Sequence, residues 1–213
     1  MLSASGIVAG YRRGEPVLCG VDLQIKPGET VGLAGPSGCG KSTLARVLAL
    51  LLAPWRGTVS LDGTPVTGFR YAAPVPARTA VGLVFQQPRL AVDPRSTLRQ
   101  VIAEPLHATG RSAQAPDSVT GLAERVGLTP ELLDRAPHEV SDGQLQRACL
   151  ARALVLAPRY LLCDEMTAMV DASTTAALVG VVREEVAQRG LGVLAISHDE
   201  DLLEVWADRV VSA

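Results

Sequence analysis

The nine residues GPSGCGKST at 35–43 constrain this chain more than any other feature. They follow the apolar run TVGLAG and lead into KSTLARVLALLLA (41–53), whose apolar residues spread around most of a helix before Pro54 ends it. This is G-x-x-x-x-G-K-[ST] in its confirming context, a strand before and a helix after. Gly35, Gly38 and Gly40 let successive backbone N–H groups turn inward and cradle phosphate oxygens, with Pro36, Ser37 and Cys39 between them. The helix that follows directs its positive end at the same anion. Lys41 is expected to reach the β- and γ-phosphates, the Ser42 hydroxyl to ligate Mg²⁺, and Thr43 to complete the nucleotide-contacting stretch. Only two of the 20 basic residues are lysines, Lys26 and Lys41. A chain that otherwise uses arginine has kept a compact ammonium in this loop, where a planar guanidinium is larger and less adaptable. The loop predicts nucleotide binding, but by itself it does not separate kinases, GTPases and transport ATPases.

A length of 213 residues fits one substantial α/β domain or one domain carrying a small insertion. The formal charge of -2 offers no basic patch of the kind nucleic-acid binders carry, so no nucleic-acid partner is expected. The longest apolar stretch, Val47 to Trp55, contains a proline and is too short for a spanning helix. The opening MLSASGIVAG has neither a charged start nor a long apolar centre, so no signal peptide is expected. Any membrane role must come through a partner. Cys19, Cys39, Cys149 and Cys163 are scattered without C-x-x-C spacing, which suits reduced thiols better than disulfides or zinc.

Along the chain, residues 1–34 read as short strands, including VLCGVDLQI and TVGLAG with a turn at Pro27-Gly28. GTVSL and TPV form a strand pair around Asp62-Gly63, a hairpin signal, and AVGLVF (80–85) is another buried strand. Residues 88–140 change character: prolines at 88, 94, 105, 116, 130 and 137 separate the helical stretches STLRQVIAEPL, DSVTGLAERVGL and ELLDRA. They read as a helical insertion (88–140) between two halves, 1–87 and 141–213, of an α/β core. From 141 the pattern predicts a helix to about Leu156, strand YLLCD, helix 172–189 stopped at Gly190, strand GVLAIS, helix DEDLLEVWA and a last strand RVVSA.

Five further motifs follow in order. Tyr11 lies 24 residues before Gly35. FQQP (85–88) places Gln86 at the end of a buried strand, VSDGQLQRACLARAL (140–154) opens a helix, YLLCDEMTAMVD (160–171) ends an apolar strand on Asp164-Glu165, and AISHD (195–199) ends another on His198. Together with the phosphate loop this set resembles the ATP-binding cassette (ABC) family over nearly the whole chain. The resemblance implies a P-loop, RecA-like ATPase core with an N-terminal antiparallel β subdomain and an inserted α-helical subdomain. It implies that Tyr11 stacks on adenine, that Gln86 helps ligate Mg²⁺ or position the attacking water, and that Asp164 holds Mg²⁺ through water. Glu165 then acts as general base, His198 contacts the γ-phosphate and orients Glu165, and Asp171 communicates across a dimer.

Ser141, Asp142, Gly143 and Gln144 fall on the family's LSGGQ signature, whose helix N-terminus meets the nucleotide of a second cassette. Two departures stand out: Met166 replaces a usual proline, and Asp142 replaces a usual glycine. A carboxylate aimed inward would repel phosphate, so Asp142 is expected to cap the helix while facing away.

The family resemblance makes the chain an ATPase using ATP and Mg²⁺. It would pair with a second cassette, identical or different, and dock on transmembrane permease subunits at the cytoplasmic face of the membrane, with an extracytoplasmic substrate-binding protein where transport is inward. FQQPRLAVDPRSTLRQVIAEPL is similar to the ATPases of oligopeptide, dipeptide and nickel importers, which have asparagine-proline-arginine where this chain has Asp93-Pro94-Arg95. The longer C-terminal extension of that group is absent from the sequence, which reads as a minimal cassette. Soluble ABC ATPases of DNA repair or translation are the alternative; they carry long coiled coils or two joined cassettes, and neither pattern is found here.

Overall fold

The computed structural model describes residues 1–212. In chain order its elements are β1 (Leu2–Ala9), β2 (Leu18–Ile25), β3 (Thr30–Ala34), α1 (Lys41–Leu48), β4 (Arg56–Leu61), β5 (Thr64–Pro65), α2 (Val75–Thr79) and β6 (Val81–Val84). There follow α3 (Leu98–Ala108), α4 (Ala115–Arg125), α5 (Pro130–Leu133), α6 (Asp142–Leu154), β7 (Tyr160–Asp164), α7 (Ala172–Arg189), β8 (Gly192–Ile196), α8 (Glu200–Trp206) and β9 (Arg209–Ser212). The chain divides into two compact units. One comprises Met1–Leu83, Arg159–Asp164 and the residues from Val186 onward; the other comprises Val84–Pro158 and Glu165–Glu185.

The first unit holds two sheets. β2-β1-β4-β5 is antiparallel, while the second sheet has the order β6-β7-β8-β3-β9, with β7, β8, β3 and β9 paired in parallel. Every residue of β3, β7 and β8 is buried, which explains their mostly apolar composition, Thr30 and Asp164 at strand ends excepted: a parallel strand covered on both faces has no polar side to alternate with. β1 and β2 alternate more, as strands with a wetter face do. The β4–β5 turn lies at Asp62 (φ 51) and Gly63 (φ 79), both left-handed, the geometry of a two-residue type I′ hairpin.

α1 stops five residues sooner than its apolar pattern predicts. Leu50 takes φ 61, its N–H donates to Val47 O at 3.0 Å, and the Leu51 N–H donates to Arg46 O at 2.8 Å. This is a Schellman ending with leucine where glycine is usual. Burial of the Leu50 side chain, 2% exposed, offsets the strain of that conformation.

In the second unit α3 begins with a reciprocal cap. The Thr97 hydroxyl accepts from Gln100 N at 3.3 Å, and the Gln100 side chain accepts from Thr97 N at 2.8 Å. Its buried residues Leu98, Val101, Ile102 and Leu106 form one helical stripe, and α3 packs on α4 and α6. Glu185, 1% exposed in its side chain, is ion-paired with Arg125 at 2.6 Å. Among the described residues no helix is long and apolar enough to cross a membrane.

Candidate nucleotide site

The first unit carries the phosphate loop. β3 delivers the chain at Ala34; Gly35 (φ 151), Gly38 (φ 84) and Gly40 (φ 106) then turn it into α1. Gly40 has two reasons to be glycine. Its φ is left-handed, and a Cβ there would stand 2.7 Å from a Leu18 methyl carbon. The N-terminus of α1 begins at this glycine with no side-chain cap and no acid in its first turn, which leaves its partial positive end open to an anion. Pro36 and Ser37 are exposed beside it and Cys39 is half-buried.

Lys41 is 5% exposed. Its ammonium folds back onto the loop and donates to Gly35 O at 2.6 Å and Pro36 O at 2.9 Å, with Cys39 Sγ at 3.9 Å. Next to it, the Ser42 hydroxyl donates to Asp164 Oδ1 at 2.8 Å, and Asp164, at the end of β7, is 4% exposed. A hydroxyl and a buried carboxylate beside a phosphate cradle are the hard oxygen donors Mg²⁺ prefers, and that ion takes few ligands from protein. The residues therefore fit the metal.

Tyr11 stands half-exposed, with Arg46 Nη1 donating to its hydroxyl at 2.5 Å and the guanidinium 5.8 Å from the ring centroid. Thr43 also reaches the phenol, at 3.4 Å. Sequence reasoning missed Arg46; its place on α1, three residues after Thr43 on the same face, was the available signal. His198 lies exposed between β8 and α8, in a turn held by Asp199 N donating to Ser197 Oγ at 3.0 Å and by the Asp199 carboxylate capping α8.

The second unit holds the remaining candidates. Gln86 Nε2 donates to Glu165 Oε2 at 2.8 Å, so the side chain expected on the metal gives its amide to the expected base. Glu165 has φ 49, a left-handed conformation that a glutamate adopts only under constraint. Met166, in place of the usual proline, is buried at 2% exposure.

The signature segment corrects one expectation. Ser141, not Asp142, caps α6. Its hydroxyl accepts from Gln144 N at 3.2 Å, and the Gln144 side chain accepts from Ser141 N at 3.0 Å. With the cap position filled, Asp142 becomes the first helical residue, and its carboxylate accepts from Arg89 Nε at 2.7 Å. A Cβ at Gly143 would stand 3.3 Å from the Thr174 methyl carbon, so a larger residue there would require Thr174 to shift by a few tenths of an ångström.

Asp171 accepts from the Ser173 hydroxyl at 2.6 Å and from Thr174 N at 2.8 Å. These bonds, the Ser173 hydroxyl foremost, hold its carboxyl down to about 2. Ser141, Gly143, Gln144 and Asp171 all line one cavity of about 420 Å³. Arg89 is a second residue missed from sequence: nothing in FQQPR indicates a reach to position 142.

A parallel sheet whose inner strand runs into a glycine loop, a buried lysine and a paired serine and aspartate defines a P-loop nucleotide-binding protein. Comparison with known proteins narrows the class. The family model described as ABC transporter matches residues 18–168. Oligopeptide transport ATP-binding protein OppF of Salmonella typhimurium is 37% identical over 195 residues, 90% of this chain and 58% of that protein. Glutathione import ATP-binding protein GsiA of Pectobacterium atrosepticum is 40% identical over 192 residues, 89% of this chain and 31% of that one. Nickel import ATP-binding protein NikE of Escherichia coli is 37% identical over 210 residues, 98% of this chain and 78% of that one. The chain thus spans less than two thirds of two of these three relatives. Among solved structures, a dimeric post-hydrolysis state of the ATP-binding cassette MJ0796 bound to ADP and Pi superposes with a TM-score of 0.87 at 26% identity, covering 100% of this chain and 94% of that one. The chain belongs to the ABC transporter family, with the fold of its ATP-binding cassettes.

Proposed function

We propose that this chain is the ATP-binding and ATP-hydrolysing subunit of an importer, coupling ATP turnover to separate membrane-spanning subunits at the cytoplasmic face of the membrane. The observation that carries the reading is the Ser42–Asp164 pair, 2.8 Å apart, beside a loop onto whose own carbonyls the lysine folds back. An ammonium held by two carbonyls and a thiol is poised to exchange them for phosphate oxygens, which bear full charge.

Ser42 and Asp164 would hold Mg²⁺, which when bound neutralises charge on the phosphate oxygens. Lys41 and the N-terminus of α1 take the β- and γ-phosphates, Tyr11 offers a ring face to adenine, and His198 supplies a hydrogen bond toward the γ-phosphate. Glu165 accepts the proton of the attacking water once Gln86 has released its carboxylate. The N-terminus of α6, with Ser141, Gly143 and Gln144, completes the site of a second cassette, and Asp171 communicates across that pairing. We place the core at 1–87 and 141–213 and the permease-facing helical insertion at 88–140.

Import of peptides or nickel complexes is the transport class best supported, through the likeness to OppF and NikE. The test is ATPase activity of the full chain against Glu165→Gln. The variant should bind labelled ATP as well as the parent while turnover falls at least about a hundredfold, the lower end of what general-base catalysis contributes. Normal turnover in the variant would assign the base elsewhere. Association with permease is tested by co-expression and co-purification with membrane subunits of an importer of this class.

A further inference from the structure

Asp142 puts a carboxylate at the first position of the helix that, on the reading above, meets the γ-phosphate held by a second cassette. An anion there is favourable to the helix itself but repels the phosphate. The structure shows what stands against it. Arg89, in the short 3-10 turn Pro88–Leu90, donates from Nε to Asp142 Oδ1 at 2.7 Å, from Nη1 to Pro137 O at 2.7 Å and from Nη2 to Val140 O at 3.0 Å. One guanidinium thus ties the charge of Asp142 and the two carbonyls leading into α6 to the segment that carries Gln86.

That segment is fastened to α6 at two further points. The Gln146 side chain, 1% exposed, donates to Phe85 O at 3.2 Å, and Arg152 donates to Ala91 O at 2.6 Å. Residues 85–91 therefore form a strap on α6, and Gln86 within it holds Glu165 at 2.8 Å. Asp142 is thus linked to Glu165 through the Arg89 ion pair, three residues of backbone and the Gln86 amide.

Resting on the reading that α6 acts on the nucleotide of a second cassette, we propose that Arg89 is a positioning residue for hydrolysis. It neutralises Asp142 and turns that carboxylate aside, so that the Ser141 and Gly143 end of α6 can accept a γ-phosphate. Arg89 and Asp142 are a compensating pair: the aspartate is tolerated at a usual glycine position because the arginine is present. A guanidinium serving only as a clamp on Pro137 O and Val140 O would not depend on what occupies position 142.

This dependence is testable with four forms of the full chain: parent, Arg89→Met, Arg89→Lys, and Arg89→Met combined with Asp142→Gly. Steady-state ATPase is read across protein concentration, so that pairing and turnover separate, and labelled-ATP binding is measured on the dilute chain. Thermal melts check that each form is folded. Arg89→Met should lower kcat about tenfold, the effect of one uncompensated like charge near the developing phosphate charge, while ATP affinity of the dilute chain stays within about twofold. Arg89→Lys, which keeps the charge, should fall in between, and the double variant should regain most of the lost rate. A double variant as slow as Arg89→Met would overturn the compensation and leave only the clamp; an Arg89→Met form at parental rate would overturn the role altogether. A parent chain whose ATPase shows no dependence on pairing would refute the underlying reading of α6, and this inference with it.

Discussion

Replacing Lys41 with methionine should separate two quantities that usually move together, stability and ligand binding. The Lys41 ammonium is 5% exposed and bonded to Gly35 O and Pro36 O. Removing it deletes a buried charge together with its desolvation cost, and the carbonyls it leaves belong to a half-buried and an exposed residue that water can reach. The ligand-free chain should therefore melt within about 3 °C of the parent, a change of roughly 1 kcal/mol for a chain of this size. Binding behaves differently. A charge-assisted bond to phosphate is worth about 3 kcal/mol, a factor of roughly 150 in affinity. At an ATP concentration of about 100 times the parental Kd, the parent gains about 2.7 kcal/mol, or a rise of roughly 5–10 °C. At the same concentration the variant gains only about 0.3 kcal/mol, a rise of about 1 °C. Differential scanning fluorimetry with and without Mg-ATP measures both. An ATP-induced rise in the variant close to the parental one would show that the lysine does not contact phosphate.

Thiol chemistry gives a second check. Burial pushes Cys149 up to about 11 and Cys163 higher still, so alkylation at pH 8 of the folded chain should mark Cys19 and Cys39 and spare the other two. Mass spectrometry should also find Cys39 protected by ATP, because it lies in the phosphate loop. For Asp171, whose folded carboxyl lies near 2 against an ordinary 3.8, the stabilising bonds to Ser173 and Thr174 are complete above the ordinary value and lost as pH falls through about 2. An NMR titration of the Thr174 amide should show a midpoint below 3, moving up toward the ordinary value in Ser173→Ala, since that hydroxyl is the main cause of the depression.

Sequence carried the parts of this molecule whose chemistry is local. A glycine loop between a buried run and a helix, Asp62-Gly63 between two short strands, and Gly190 after α7 each dictate backbone geometry from adjacent residues, and the structure has them where the pattern puts them. What was illegible depended on contacts distant in sequence or on conformations that the residue type conceals. Leu50 ends α1 in a left-handed conformation that leucine does not advertise. Ser141 takes the cap through its reciprocal bonds with Gln144, and the partner that Asp142 then finds, Arg89, lies 53 residues away in sequence. The short helix Val75–Thr79 begins at a proline-rich stretch with no apolar period long enough to signal it. The Arg46–Tyr11 contact likewise joins a loop to a helix face that spacing alone does not bring together.

The conformation of Glu165 allows a last prediction, which sets the cost of the site against its use. A non-glycine residue at φ 49 brings its Cβ against the following carbonyl, at about 1–2 kcal/mol. Such strain persists where surrounding structure imposes it, and it gathers at functional positions. Here the chain leaves a fully buried strand at Asp164 and must turn at once, and Gln86 holds the side chain that results. Two substitutions divide the effects. Glu165→Ala and Glu165→Gly both remove the carboxylate and its bond to Gln86, so both should abolish turnover and both lose the same side-chain contacts. Only glycine also removes the Cβ. Glu165→Gly should therefore be more stable than Glu165→Ala by about 1 kcal/mol, despite glycine's greater entropy in the unfolded chain. Urea unfolding of the two variants, compared at equal m-value, gives the difference directly. If alanine proves as stable as glycine or more so, the left-handed turn carries no strain, and selection for a glutamate at this point needs no stability sacrifice to explain it.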